Sequence, residues 1–394
     1  MNTSTTLMPT YGRQDVAFVR GEGCSLYDST GKRYLDAVAG VAVNSLGHSH
    51  PGFTAALREQ VGTLVHTSNL YRIPLQEQLA DILCQRTGLQ QAFFCNSGAE
   101  AIEASLKLAR KYGHNRGIDV PQILVMEGAF HGRTLGALTA THNPAYQEGF
   151  TPLLDGFVRV PYNDISAVEA ALAANPQLVA ILVEPVQGEG GILLPAPDYL
   201  NHLRALCDRH SLLLMLDEVQ TGNGRSGAWF ACQHNGMVPD VLATAKGLGN
   251  GFPIGVCLAG GGATDIFQPG HHGSTFGGSP LACAAGLAVY RALEEEDLCG
   301  NAARMGSYLV EQLRSALADC GAVREVRGLG LMIGVELDRP CGTLVGRARA
   351  KGLLLNVASG SVIRLVPPLV LTQADADFIV TVVASVVKEF YHGR

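Results

Sequence analysis

The chain has 394 residues, of which 47% are hydrophobic and only 16% charged, and its formal net charge is −6. This balance excludes an electrostatic hold on nucleic acid or an anionic membrane, and no apolar run reaches the ~20 residues that a bilayer span requires. The length and the 47 glycines suit about two to three domains, or one large and one small lobe, connected by tight turns.

The first ten residues, MNTSTTLMPT, have neither a basic start nor an apolar core, so no secretory signal is expected. Residues 15–45 read as short strands and turns, with a hairpin turn at Ser29–Gly31. From about residue 60 strands and helices alternate. The candidate buried strands are AFFCN (92–96), ILVM (123–126), VAILVEP (179–185), LLLMLDEV (212–219), VLATA (241–245) and VCLAG (256–260). Helical patterns lie between several of them, at 99–113 and around Tyr199–His210. The alternation predicts a mostly parallel sheet covered by helices on both faces. Beyond residue 285 a helical stretch precedes 326–337 and 361–372, which read as strands of a smaller α+β lobe that the N-terminal segment could join. No repeat, linker or low-complexity tract occurs. The ten cysteines include no CxxC pair, so a metal site is not expected, and they read as reduced thiols of a cytoplasmic protein.

Open α/β sheets bind ligands beyond the carboxyl ends of their strands, so the residues following each strand matter most. CNSGAEA follows the first, and Ser97 stands three before Glu100, the spacing of a helix cap. Ser97, Gly98 and Ala99 could hold a phosphate there, or simply start a helix. EGAFHGRT follows the second and brings Phe130 and Arg133, which could equally be a core aromatic and a solvated cation. EPVQGEGG follows the third, with Glu184 and Glu189, candidates for acid–base work or ordinary loop charges. The fourth ends in Asp217–Glu218, and a carboxylate closing an apolar strand is costly without a cationic partner. GNGRSG (222–227) matches GxGxxG, but a dinucleotide fingerprint opens a helix directly after a strand, and here DEVQT intervenes. No GxxxxGK[ST] occurs. The fifth strand ends at Lys246, the only charged residue between Asp240 and Asp265. Burial would depress its pKa and make its amine a nucleophile. A phosphate cradle, an aromatic face, a strand-end Asp and an isolated Lys on one rim together suit pyridoxal phosphate (PLP).

The run LDEVQTGNGRSGAWFACQHNGMVPDVLATAKGLGNGFPIG resembles the signature of class III (ω-type) aminotransferases. The likeness extends to FFCNSGAEAIEASLKLARKYG, FHGRTLGALTATHN, EPVQGEGGILLP, GSTFGGSPLACAAG, VRGLGLMIGVEL and IRLVPPLVLT, and so covers nearly the whole chain. Within the family the acetylornithine branch is most similar, partly through SNLYRIPLQEQLA and HGSTFGG. The resemblance implies an α/β PLP-dependent transferase of fold type I. Its large domain (61–285) would carry a mostly parallel seven-stranded sheet, with a smaller α+β domain at 286–394 joined by residues 1–60. It also implies a homodimer with each active site at the subunit interface. Lys246 would be the Schiff-base lysine. Asp217 would bond the pyridine nitrogen, with Glu218 beside it, and Gln220 would reach the ring hydroxyl. Phe130 and Val219 would flank the ring, and Ser97, Gly98 and Ala99 would hold the phosphate. Thr275 would reach the phosphate of the neighbouring subunit's cofactor. Among substrate contacts the resemblance places Arg133, Ser274, Tyr11 and a switchable Glu189–Arg364 pair. His131 reads as a packing or hydrogen-bonding residue. The implied reaction moves the ω-amino group of N2-acetylornithine to 2-oxoglutarate, in arginine biosynthesis. Ornithine, succinylornithine or 4-aminobutyrate are the alternative donors. Two positions depart from the family pattern: Ile102 and Ser279 each stand where Asn is usual.

Overall fold

Uninterrupted apolar runs form the inner strands of a seven-stranded sheet in the computed structural model, which describes residues 6–393. Short strands β1 (Phe18–Glu22), β2 (Ser25–Asp28) and β3 (Arg33–Asp36) come first. The central sheet follows with β4 (Gln91–Cys95), β5 (Gln122–Met126), β6 (Phe157–Val160), β7 (Leu178–Val183), β8 (Leu213–Asp217), β9 (Val241–Thr244) and β10 (Gly255–Ala259). Its order is β4-β10-β9-β8-β7-β5-β6; all neighbours are parallel except β10, which runs against both β4 and β9. Every residue of β7, β8, β9 and β10 is buried, as expected of strands covered on both faces. Side chains alternate between the two layers. Ile181 and Val183 join one core with Tyr199 and Leu203, while Ala180 and Leu182 join another with Ile102 and Ala109. Ile102 is thus a core residue of the helix Gly98–Asn115. The six strands expected between residues 92 and 260 match to within two residues at each end. The edge strand β6 is additional, because its four residues FVRV include a charge and give no sustained apolar run.

The C-terminal region adds β11 (Val323–Leu329), β12 (Met332–Leu337), β13 (Leu353–Leu354), β14 (Asn356–Ala358) and β15 (Val362–Leu365). The stretch expected as one strand at 326–337 is a hairpin of β11 and β12, in an antiparallel sheet ordered β11-β12-β15-β14. The N-terminal strands form a separate sheet, completed by β13 lying parallel to β3. Among the described residues no helix is long and apolar enough to cross a membrane.

The β11–β12 turn meets the central lobe tightly. Gly330 has φ +54°, and a Cβ there would lie 2.3 Å from the carbonyl carbon of Ser226 and 2.5 Å from the carbonyl oxygen of Arg225. The Leu331 amide donates to the Arg225 carbonyl at 2.9 Å. Gly330→Ala combines a disfavoured φ with a backbone clash, and should cost about 2 kcal/mol or more. Denaturant unfolding should show a lower midpoint; an unchanged midpoint would mean that the turn can move aside.

Candidate active site

The carboxyl ends of the parallel strands converge on a cavity of about 380 Å³. At one end, β4 runs into Ser97, which caps the helix Gly98–Asn115 by accepting the Glu100 amide at 3.2 Å. Glu100 reaches back to the Asn96 amide at 2.7 Å, one residue before the cap. Gly98 and Ala99 hold the first helical positions, where no intrahelical carbonyl can meet their N–H groups, and both line the cavity with Ser97. These free donors and the positive end of the helix suit a phosphate.

After β5, the backbone N–H of Phe130 donates to Glu184 Oε2 at 3.0 Å. His131, fully enclosed, places Nδ1 2.7 Å from Asp217 Oδ2. Asp217 closes the all-apolar β8, and its Oδ1 accepts the Val219 amide at 3.0 Å. Burial pushes the Glu184 carboxyl well above the usual carboxylate range, with His131 opposing the rise and Asp217 adding to it. Lys246 follows β9 in the left-handed region at φ +44°. No hydrogen bond or ion pair holds its amine among the described residues. Burial lowers its pKa, against the upward pull of Asp217 and Glu189. Phe130, Val219 and Gln220 complete this part of the wall.

The donor set fits PLP. Buried Gln220 Oε1 has no partner and can accept from a ring hydroxyl, Asp217 can accept a ring N–H, and Phe130 and Val219 supply apolar walls. Lys246 supplies an amine for the aldehyde.

Glu218, expected among the cofactor contacts, turns away from the cavity. Its carboxylate accepts the amides of Ala231 and Cys232 at 2.9 and 2.8 Å and the Thr221 hydroxyl at 2.5 Å, so it fixes the loop behind the site. Successive residues leaving a strand point to opposite sides, and of these two only Asp217 lines the cavity. Glu189 and Arg364 meet beside the main cavity at 2.5 Å, and Arg364 Nε donates to Asn356 Oδ1. Glu189 lines a neighbouring space of about 440 Å³ with Phe130 and Tyr146. The Arg133 guanidinium stacks 3.6 Å from the centre of the Tyr146 ring, at the mouth of the main cavity. Ser274 Oγ accepts from Asn96 at 3.3 Å, which ties it to the rim. Thr275 and Tyr11 lie on the surface of the chain, outside the cavity. Ser279 caps the helix Pro280–Glu295, a position at which Ser and Asn serve equally. Sequence reasoning did not single out Val43, Asn96 or Phe252, all of which line the cavity, or Tyr146. Glu184 did carry a signal, since like Asp217 it ends an apolar strand.

A sequence model described as "Aminotransferase class-III" matches residues 8–387. The chain belongs to the class III aminotransferases. An acetylornithine aminotransferase of Nitrosomonas europaea is 53% identical over 98% of this chain and 99% of its own length. One from Methanothermobacter thermautotrophicus is 46% identical over 97% and 96%. Among solved structures, an ornithine aminotransferase of Toxoplasma gondii superposes with a TM-score of 0.95 at 33% identity, covering 99% of this chain and 94% of that one. An N-acetylornithine aminotransferase of Stenotrophomonas maltophilia gives 0.85 at 34% identity, covering 98% of each. Class III aminotransferases depend on PLP, and the described fit of the cavity agrees with that cofactor.

The lowered Lys246 pKa has a sign that can be measured. In this aminotransferase without cofactor, Lys246 should react with an acylating reagent half-maximally at a pH below the ordinary lysine value of about 10.4. Asp217 favours the protonated amine, so Asp217→Asn should move that midpoint lower still. Peptide mapping across a pH series reads both; a midpoint that rises in the variant would contradict the assigned charge coupling.

Proposed function

We propose that this aminotransferase moves the ω-amino group of N2-acetylornithine to 2-oxoglutarate, releasing N-acetylglutamate 5-semialdehyde and glutamate. The observation that carries the chemistry is a lysine amine, lowered in pKa and without a partner among the described residues, that shares one cavity with Asp217. The choice of donor is supported by relatives named acetylornithine aminotransferase at 45–53% identity. Bound PLP supplies an aldehyde carbon for the incoming amine and a ring that draws off electrons. Asp217 would hold the proton on the pyridine nitrogen, and His131 Nδ1 fixes the orientation of its carboxylate. The Lys246 amine, beside the substrate carbon, would serve as the base that takes up its proton and as the acid that gives it back. Ser97, Gly98 and Ala99 hold the phosphate, and Gln220 the ring hydroxyl. Arg133, oriented by Tyr146, binds the carboxylate farthest from the reacting amine.

The two substrates differ beside the reacting carbon: the donor is uncharged there, while glutamate carries a carboxylate. Glu189 paired with Arg364 presents a neutral wall to the donor. With Glu189 swung aside, Arg364 is released for the glutamate carboxylate. Arg364 is almost wholly buried and Glu189 is partly exposed, so the acid is the partner free to move. A buried guanidinium is costly without a partner, so one carboxylate replaces the other.

The protein is further proposed to act as a homodimer with its sites at the subunit interface. An exposed apolar patch of Leu64, Val65, Leu70, Tyr71 and Phe276 supports this, lying next to Ser274 and Thr275 and bound to that loop through Asn69. A cytoplasmic setting is supported by ten free cysteines. The domain division near residues 60 and 285 is proposed on the separate sheets.

The test of the donor is the cofactor's visible absorption, followed on adding amine without oxo acid. N-acetylornithine should discharge it fully, and ornithine and 4-aminobutyrate should do so poorly; conversion by one of those two alone would reassign the donor. Glu189→Ala should lower the ratio of kcat/KM for N-acetylornithine to that for glutamate by about tenfold or more, since it leaves Arg364 permanently free. An unchanged ratio in stopped-flow half-reactions would show the pair to be a fixed structural one.

A further inference from the structure

The loop carrying Glu189 contains unfavourable backbone. Ile192 has φ +54° with a fully buried, β-branched side chain, and Gly191 before it has φ +110°. A β-branched residue enters the left-handed region only when its surroundings hold it there. Part of the hold is the loop's own, since Gln187 and Leu193 exchange backbone hydrogen bonds at 3.1 and 3.0 Å and the Ile192 amide donates to the Gly188 carbonyl at 3.4 Å; the rest comes from one side chain of the C-terminal sheet. Arg327 donates from Nε to the Ile192 carbonyl and from Nη2 to the Gly191 carbonyl, both at 2.7 Å. Its Nη1 is taken by Glu336 at 2.6 Å and Glu325 at 2.7 Å, which leaves the guanidinium nearly saturated.

The register of the sheet explains why this arginine reaches that loop. Arg327 pairs with Gly334, and Gly334 pairs with Arg364, so all three occupy one row across β11, β12 and β15. Directly paired residues project from the same face of a sheet. Gly334 leaves space between the two arginines, and the loop fills it: a Cβ on Gly334 would come within 3.2 Å of Ile192 Cβ and 3.3 Å of the Gly191 carbonyl oxygen. One guanidinium of the row grips the loop's backbone while the other grips its Glu189 side chain. On the other side of Glu189, the Gly188 amide donates to Glu184 Oε1 at 3.3 Å. Glu189 therefore swings from an arch pinned at both ends.

We infer that Arg327 is a positioning residue for substrate choice: it fixes the backbone on which Glu189 turns, and so sets how readily Glu189 yields Arg364 to a substrate carboxylate. The inference rests on the reading of Glu189–Arg364 as a switch. With the arch released, Glu189 loses its set distance from Arg364, and the site should favour the substrate that needs Arg364 free.

The test uses holoenzyme and separate half-reactions with N-acetylornithine and with glutamate. The ratio of the two kcat/KM values on one preparation is unaffected by the fraction of folded enzyme. Arg327→Met should lower the donor-to-glutamate ratio by about tenfold, the scale of a small misplacement in a site. Arg327→Lys keeps a charge for Glu336 but lacks the planar fork, so it should lower the ratio similarly, and it serves should the methionine variant fail to fold. In a Glu189→Ala background, Arg327→Met or Arg327→Lys should change the ratio no further. If Glu189→Ala shifts the ratio while neither Arg327 variant does, Arg327 is only a strut and the inference is overturned. If Glu189→Ala itself leaves the ratio unmoved, the switch fails and this inference falls with it.

Discussion

A carboxylate at the end of a fully apolar strand must keep permanent hydrogen-bond donors, and the arrangement of this site follows from that need at Asp217. Its two oxygens are met by the Val219 amide, two residues on, and by His131 Nδ1, which arrives from the loop after β5. Glu184 lies close enough to feel both groups. Two carboxylates in one buried site do not share a role: burial drives Glu184 toward its neutral form. Its oxygens accept backbone amides of Phe130 and Gly188. Glu184 thus holds the two loops that form the cavity wall, while Asp217 faces the cavity.

Parallel strand order makes this possible. β5, β7, β8 and β9 all point their carboxyl ends the same way, so the residues after each strand reach one rim although they are far apart in sequence. Lys246 leaves β9 in a left-handed conformation that a side-chain-bearing residue adopts at a cost, and its amine meets no partner among the described residues. Strain and an unsatisfied amine in one residue are features that stability alone would not select. They are consistent with a group kept ready to react.

Much of this was legible in the sequence, because burial on both faces erases alternation and leaves runs such as LLLML and VAILV that only inner strands tolerate. Strand ends then pointed to Ser97, Asp217 and Lys246 without reference to any relative. Short or mixed segments were less legible. FVRV is too brief and too charged to announce an edge strand, and 326–337 hid a turn at Gly330 inside one apolar stretch. Glu218 misled because adjacency to Asp217 suggested a shared role, whereas alternation turns the two side chains apart. Tyr146 was not legible, since nothing local in NPAYQ indicates that an arginine thirteen residues earlier will stack on its ring. Contacts between lobes are set by three-dimensional register, and sequence spacing does not report it.

Two deeply buried arginines show how partner chemistry separates a fixed joint from a movable one. Among the described residues Arg225 has no carboxylate within reach. Its Nη1 donates to the carbonyls of Leu331 and Pro367, and Nε and Nη2 find no partner. Backbone carbonyls cannot leave without unfolding the segments that bear them, so Arg225 can only fasten the two lobes. Arg364 is equally buried but bonds the carboxylate of Glu189, a side chain with its own rotamers and partial access to solvent. A carboxylate can be exchanged for another carboxylate at little net electrostatic change, because the guanidinium stays paired throughout. Three residues after Arg364, the carbonyl of Pro367 is held by Arg225, so the segment following the strand that bears Arg364 is anchored by the fixed arginine. On the proposed switch, the Glu189 side chain is the member placed to move, because it has partial access to solvent while the strand bearing Arg364 is fastened.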